Sequence, residues 1–327
     1  MDSTKARFPD LGAGAGAYES FYLKASHPSD RLGVWIRYTV HKGPGSGALG
    51  SLWFTLFDAS ADGPRASKVT LPDPRTGEEE WIGIGDSSFR EGEARGSAVS
   101  ERCDAAWRLR FRSAETPLTH LPYERLYSSR LPRTKTLSPV PAARFDGQLS
   151  VDGRTIAVED WPGMVGHNWG TEHAERWIWL HGLGFEGQTD HTWLDLAIGR
   201  LRVGRVLTPW VANGALSLDG RRSRLGGLGR RVRVREGAGG CEFALPGEKL
   251  RLKGGVSAEP KDCVGWLYAD PGGGEHRAIN CSIADMTLRI ERGAGSPLEL
   301  RVAGGATYEL GGPQGDPAVA IQPFPDP

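Results

Sequence analysis

The chain is poor in most of the signals that announce a particular chemistry. Its 327 residues include four cysteines, Cys103, Cys241, Cys263 and Cys281. None forms a CxxC pair or stands beside a histidine at finger spacing, so a cysteine zinc site is excluded and reduced thiols are the simplest state. Net charge is missing too: 40 Lys plus Arg balance 40 Asp plus Glu. That balance gives no footprint for nucleic acid or an anionic membrane. The densest basic run, RRSRLGGLGRRVRVR over 221–235, alternates toward its end as a solvated sheet face does. No stretch reaches the roughly 18 apolar residues of a membrane span. The N-terminus has no apolar run of signal-peptide length, and its GAGAGA stretch is too small to serve as one, so a soluble, cytoplasmic protein is expected. There is no GxSxG, no Walker loop, and no GxGxxG that follows a strand and opens a helix. Gly12 to Gly16 precede no credible phosphate-binding helix. Serine hydrolases and nucleotide or dinucleotide enzymes are thereby demoted, and no cofactor is expected.

Long helical patterns are also lacking; the 3.6-residue spacing never persists beyond about two turns. The chain has instead 46 glycines and 22 prolines set between tryptophan, valine, isoleucine, leucine and tyrosine, a pattern of many strands cut by many turns. LGVWIRYTV (32–40) and GSLWFTLFDA (50–59) predict neighbouring antiparallel strands. Further strands are expected at 81–84, 106–112, 148–151 with 155–158 across Asp152-Gly153, and 215–218 with a partner beyond Asp219-Gly220. Parallel strands would need crossover helices, so the expectation is an all-β protein of closed or nearly closed antiparallel barrels. The proline-bearing stretch 118–143 reads as a linker rather than a central strand. The division is placed near Pro141, giving β domains at 1–140 and 141–327. The proline-rich tail after Gly311 is expected to pack on a surface or stay mobile.

One segment is dense in chemistry. Between Asp160 and Asp195 lie five of the eleven tryptophans and four of the eight histidines. On an extended strand Trp177, Trp179 and His181 share one face with Glu175, and on the next His191, Trp193 and Asp195 do the same. Two such triplets facing one cavity would make an indole wall ending in imidazole, suited to an apolar guest. Asp195 is the first choice for a catalytic acid, because desolvation among indoles would raise its pKa and keep it protonated. GMVGHNWG (163–170) reads as a loop whose glycines let backbone approach a ligand, with His167, Asn168 and Trp169 at the rim and Glu172 and His173 just beyond. The alternative for this loop is a plain inter-strand turn, with Trp169 as a core plug. His167, His173, His181 and His191 invite a metal, but with no HExxH and no helix to gather them, no metal is assigned.

The stretch YESFYLKASHPSDRLGVWIRYTV followed by GSLWFTLFDA, the GMVGHNWG segment and ERWIWLHG together resemble the tandem lipocalin-like superfamily. That group includes AttH-type proteins, carotenoid 1,2-hydratases and, more distantly, tocopherol cyclases. The resemblance implies two lipocalin-like barrels packed together around a hydrophobic cavity for an isoprenoid, polyketide or lipid-like guest. In its enzymes an acid protonates an alkene, and water or an internal nucleophile quenches the cation. By motif position, Trp169, Trp177, Trp179 and His181 become cavity candidates. The expected function is a cofactor-independent hydratase, isomerase or cyclase with Asp195, His181 and His167 as catalytic candidates. Asn168, Trp169, Glu172, His173, Trp177, Trp179 and Trp193 would contact substrate. The alternatives are a non-catalytic carrier or sensor of a hydrophobic small molecule, and a structural protein whose tryptophan-rich strand is only inter-barrel core. A closed apolar void beside His181 and Asp195 would separate them.

Overall fold

Strand Ala17–Ser26 is buried at all ten of its residues, and strand alternation explains how. Phe21, Leu23 and Ala25 point into one apolar core, while Ser20, Tyr22, Lys24 and Ser26 emerge on the opposite side. That second side is covered by another sheet: Lys24 Nζ donates to the Gly305 carbonyl at 2.8 Å and Ser26 Oγ to that of Ser282 at 3.0 Å. The computed structural model describes residues 2–10, 16–293 and 295–327, with backbone alone at 203. Most of the glycine–alanine run at 12–16 therefore lies outside the described residues. The element directly after that run is strand Ala17–Ser26, not a helix.

The protein is all-β and consists of two large antiparallel sheets. The first runs in space Arg65–Pro72, Ala48–Asp58, Leu32–Lys42, Ala17–Ser26, Arg154–Gly170, Thr134–Val151, Asp104–Arg112, Glu93–Val99, Ser87–Arg90 and Ile82–Ile84. The second runs Arg221–Gly226, Val211–Leu218, Trp193–Arg200, Arg176–Leu183, Leu298–Gly312, Glu275–Glu291, Leu250–Ser257 and Gly240–Gly247. A pairing of Leu225 with Gly247 joins its ends and closes an eight-stranded barrel. The hairpins expected at Asp152-Gly153 and Asp219-Gly220 are present, with φ of 51° and 79° at the first and 49° and 79° at the second. Both central residues at positive φ match the twist of the flanking strands. No helix among the described residues is long and apolar enough to cross a membrane.

Two expectations need correction. The stretch 118–143 is only in part a connection, because Thr134–Val151 is a central strand between Arg154–Gly170 and Asp104–Arg112. Its prolines 139 and 141 fall where the register slips, between Leu137 and Val140 and between Val140 and Ala143; a bulge is where a sheet tolerates a missing N–H. Residue 141 therefore lies inside a strand, and the chain passes from one sheet to the other between Gly170 and Arg176. GMVGHNWG is likewise the last part of strand Arg154–Gly170 rather than a loop. Its Gly166 lies opposite Tyr22, whose ring occupies the place of a Cβ, 2.1 Å from where that atom would stand.

The sheets share a core. Trp35 and Trp53, from the outer side of the first, meet Trp266 of the second at centroid distances of 6.3 and 5.1 Å. The tail crosses this junction. Asp326 pairs with the buried Lys68 at 2.6 Å and accepts from Ala269 N–H at 2.8 Å, and Phe324 packs on Trp266 at 6.0 Å.

Candidate active site

The indoles of strand Arg176–Leu183 turn away from their own barrel. Ile178 and Leu180 fill that barrel's core; Trp177, Trp179 and His181 leave on the other side, toward the first sheet. On the neighbouring strand Ala197 pairs with Trp179, Asp195 with His181 and Trp193 with Leu183, so Trp193 and Asp195 join the first triplet at the barrel junction, whereas His191 precedes the strand and is exposed, 3.0 Å from Glu115. Between the barrels there is a chamber of about 430 Å³. Its walls include Trp177, Trp179, Tyr22, Trp35 and Tyr268, with Arg37, His120, Asn168, Glu172, His173 and Glu309 as polar members. The Tyr22 ring stands edge-on to Trp179 at 5.2 Å. Gly311 lies opposite Trp177, whose indole sits 2.0 Å from where a Cβ would be. A side chain there would displace this wall.

Of the expected substrate contacts, Asn168, Glu172, His173, Trp177 and Trp179 line the chamber. Trp169 and His167 do not, because alternation along Arg154–Gly170 sends them to the face opposite Asn168. His167 Nε2 meets Glu19 at 2.7 Å, its Nδ1 meets the Ser3 carbonyl at 2.9 Å, and its ring stacks on Phe21 at 3.9 Å. Trp169 packs against Tyr127 at 5.9 Å under the Arg7 guanidinium. Trp193 is fully buried with Leu118, Ala142, Leu183 and Ala215, a solid plug beside the chamber. His181 is also enclosed, donating from Nε2 to the Pro141 carbonyl at 2.9 Å. Burial first, and then the nearby Lys24 ammonium, push its pKa down to about 3, so the ring is neutral.

Asp195 is fully enclosed behind Trp179, but it is not the protonated acid expected from burial among indoles. Burial does raise its pKa, but His120 and the Ser138 hydroxyl outweigh that and hold it at about 2. Ser138 Oγ donates to Oδ2 at 2.5 Å, Trp179 Nε1 donates to Oδ1 at 3.1 Å, and His120 Nε2 lies 3.3 Å from Oδ2. The partner responds in kind. Burial disfavours charge on His120, yet Asp195 and the Asn213 carbonyl, 3.2 Å from Nδ1, raise its pKa above the ordinary imidazole value. His120 is on the wall and Asp195 is not, so of this pair the histidine borders the chamber, with Nε2 toward Ser138 and Asp195 and Nδ1 toward the Asn213 carbonyl.

A second cluster joins the wall at His173. Asp270 receives His173 Nδ1 at 2.7 Å and His276 Nε2 at 2.9 Å. Burial, and then Arg37 and His276, lower the pKa of His173 despite its aspartate. The neutral ring carries its proton on Nδ1, so Nε2, buried and without a partner, keeps its lone pair. These three residues bring potential metal ligands within 4.8 Å of one another, but both carboxylate oxygens are already engaged in hydrogen bonds. Glu309 accepts from Trp177 Nε1 at 2.8 Å, Asn280 Nδ2 at 3.1 Å and the Tyr268 hydroxyl at 3.3 Å.

No family model matches the sequence. The uncharacterized protein Rv0493c of Mycobacterium tuberculosis strain H37Rv is 26% identical over 294 residues, 88% of this chain and 86% of that protein; MT0513 of strain CDC 1551 matches equally. Among solved structures, an AttH-type protein of Nitrosomonas europaea superposes with a TM-score of 0.56 at 14% identity, covering 94% of this chain and 97% of its own. The chain has the tandem lipocalin-like fold. Two further structures share this fold. CghA, solved with Sch210972, has a TM-score of 0.57 at 11% identity, covering 91% of this chain and 88% of its own. Kievitone hydratase from Nectria haematococca has 0.51 at 10%, covering 91% and 89%. In the present tandem lipocalin-like chain the described cavity lies between the barrels rather than within one.

Proposed function

We propose that the protein is a cofactor-independent hydratase, isomerase or cyclase for a hydrophobic alkene of isoprenoid or polyketide type, bound in the inter-barrel chamber. The observation that carries this reading is an imidazole, His120, in contact with Asp195 on the wall of a cavity rich in aromatic rings. His120 turns an N–H away from its protein acceptors and gives that proton to one alkene carbon; the π electrons form the C–H bond, and the N–H pair returns to the ring. The resulting carbocation lies near Tyr22 and Trp179, away from Arg37, each ring worth up to about 2 kcal/mol to a desolvated cation. In hydration, water attacks the cation and the neutral His173 Nε2 takes the departing proton. In isomerisation a neighbouring C–H proton leaves instead, and in cyclisation an internal π bond or oxygen closes on the cation. Asp195 acts through His120, as a positioning residue. That one protein of this fold is named a hydratase, kievitone hydratase, supports the hydration reading.

The test is to incubate the full chain with kievitone and with farnesol and to follow products by mass spectrometry. A product heavier by one water, or an isomer of unchanged mass, is expected. His120→Gln should reduce turnover by about 10²–10⁴, the usual weight of a general acid. Because His120 must be protonated, the rate falls as pH rises through its pKa. Asp195→Asn should move that fall to lower pH. Full turnover by His120→Gln would remove the acid. Retention of either compound unchanged, without product, would favour a carrier.

A further inference from the structure

Resting on the chamber as the binding site, we propose that its guest is an organic anion, a carboxylate or enolate whose oxygen is held by Arg37 while its apolar body lies on Trp177 and Trp179. Arg37 is only 4% exposed, and among the described residues no carboxylate pairs with it. A buried guanidinium left in this state is costly unless something compensates. Compensation inside the protein is partial. The guanidinium lies over Tyr268 at 4.3 Å and Trp53 at 5.6 Å, and it donates one hydrogen bond, to Ser20 Oγ at 2.8 Å. Its Nε is buried with no acceptor, as is the Nε1 of Trp35, another wall residue.

The neighbouring oxygens are already engaged. Ser20 passes its own proton to Asn168 Oδ1 at 2.5 Å, so the amide N–H₂ is what Asn168 has left to offer the wall it lines. Glu309, a carboxylate of this wall, is already shared among Trp177, Tyr268 and Asn280. Apart from the lone pair on His173 Nε2, this part of the chamber has more free donors than acceptors, and its carboxylate Glu309 is already engaged. A guest that brings an oxyanion corrects the imbalance, and the planar fork of arginine matches a carboxylate in particular. A neutral hydrocarbon would leave the guanidinium unpaired, and a cationic guest would be repelled.

Isothermal titration of the full chain at pH 8 with dodecanoate, 1-dodecanol and dodecyltrimethylammonium tests the head-group preference at constant apolar length. Dodecanoate is expected to bind at least about tenfold tighter than the alcohol, with the ammonium weakest. Arg37→Gln should bring the carboxylate and alcohol together, while Arg37→Lys should keep part of the gap. Equal binding of carboxylate and alcohol to the unaltered protein overturns the proposal but leaves an apolar chamber, and the product assay, standing. A gap that survives Arg37→Gln removes Arg37 as the anchor, and binding of none of the three overturns the proposal as well. Should Arg37→Gln fail to fold, the comparison on the unaltered chain still decides. Its carboxylate preference must then weaken with salt, and a salt-independent preference counts against the ion pair.

Discussion

His120 and His173 both line the chamber, have side chains only 2% and 9% exposed, and meet an aspartate, at 3.3 and 2.7 Å. Burial opposes charge on each. Yet His120 is raised above the ordinary imidazole pKa and His173 is lowered below it. The aspartates do not explain the difference, since both are ionised and in contact. The surroundings do. Asp195 is in contact with one imidazole, that of His120, with Arg224 as the opposing cation. Asp270 is divided between His173 and His276, while Arg37 adds a buried positive charge beside them. A histidine–aspartate contact thus makes an acid or a base according to the third and fourth groups around it.

The largest effect should come from removing the aspartates one at a time. Asp195→Ala leaves His120 without its counter-charge and strips the acceptor from Ser138 and Trp179. A loss of about 3–5 kcal/mol, typical of a broken buried pair, is expected. Asp270→Ala removes hydrogen bonds to a neutral His173 and to His276, and should cost about 1–3 kcal/mol. Urea unfolding at pH 7 measures both. Should Asp270→Ala prove as damaging as Asp195→Ala, the two pairs are equivalent and the contrast fails.

A third histidine carries the same logic further. His181 has Lys24 nearby and touches no carboxylate, and its pKa falls from 6.5 to about 3. The unfolded chain therefore takes up a proton before the folded one does. The contribution is intact above about pH 6.5 and declines as pH drops toward 3. Between pH 7 and pH 5 this site should account for about 2 kcal/mol, at 1.36 kcal/mol per unit. His181→Gln keeps a donor for the Pro141 carbonyl and cannot titrate, so its urea midpoint should change less over that interval. An unchanged pH dependence in the variant would show that His181 is not the sensor.

Local pattern shows which way a side chain points but not what stands opposite it. Alternation along 177–181 and 193–195 marks one face of two adjacent strands, and turn chemistry at 152–153 and 219–220 marks two hairpins, because both depend on neighbours in sequence. Whether that face meets a void or a plug depends on the other barrel: Trp177 and Trp179 border a chamber, while Trp193, on the same side, is packed solid. His120 was hidden for a similar reason. It lies in a proline-bearing stretch with no regular period, and its partner Asp195 is 75 positions away. Arg37 and Tyr22 sit in ordinary strand sequence, and only their register partners reveal that they project from the outer side of the first sheet. A hint was available in the single charged residue within each apolar run, Lys24 in 21–25 and Arg37 in 32–40. Spacing of two places such residues on a single face, and two charged side chains on the covered side of a sheet need partners.

The smallest of these effects tests the comparison most directly. Among the influences on His173, Arg37 ranks after burial and the contacts with Asp270, so its removal should alter titration more than stability. Arg37→Gln takes away a positive charge near His173 and leaves the Asp270 contact in place. The pKa of His173 should therefore rise, followed by its imidazole resonances in an NMR titration. His120 is governed by burial, Asp195, the Asn213 carbonyl and Arg224, so it should titrate as before and serve as the internal control. If both histidines move together, the variant has changed the packing between the barrels rather than one charge. If neither moves, the low pKa of His173 is a matter of burial and of the shared Asp270 alone, and the opposite states of the two pairs must be sought in how each carboxylate is divided.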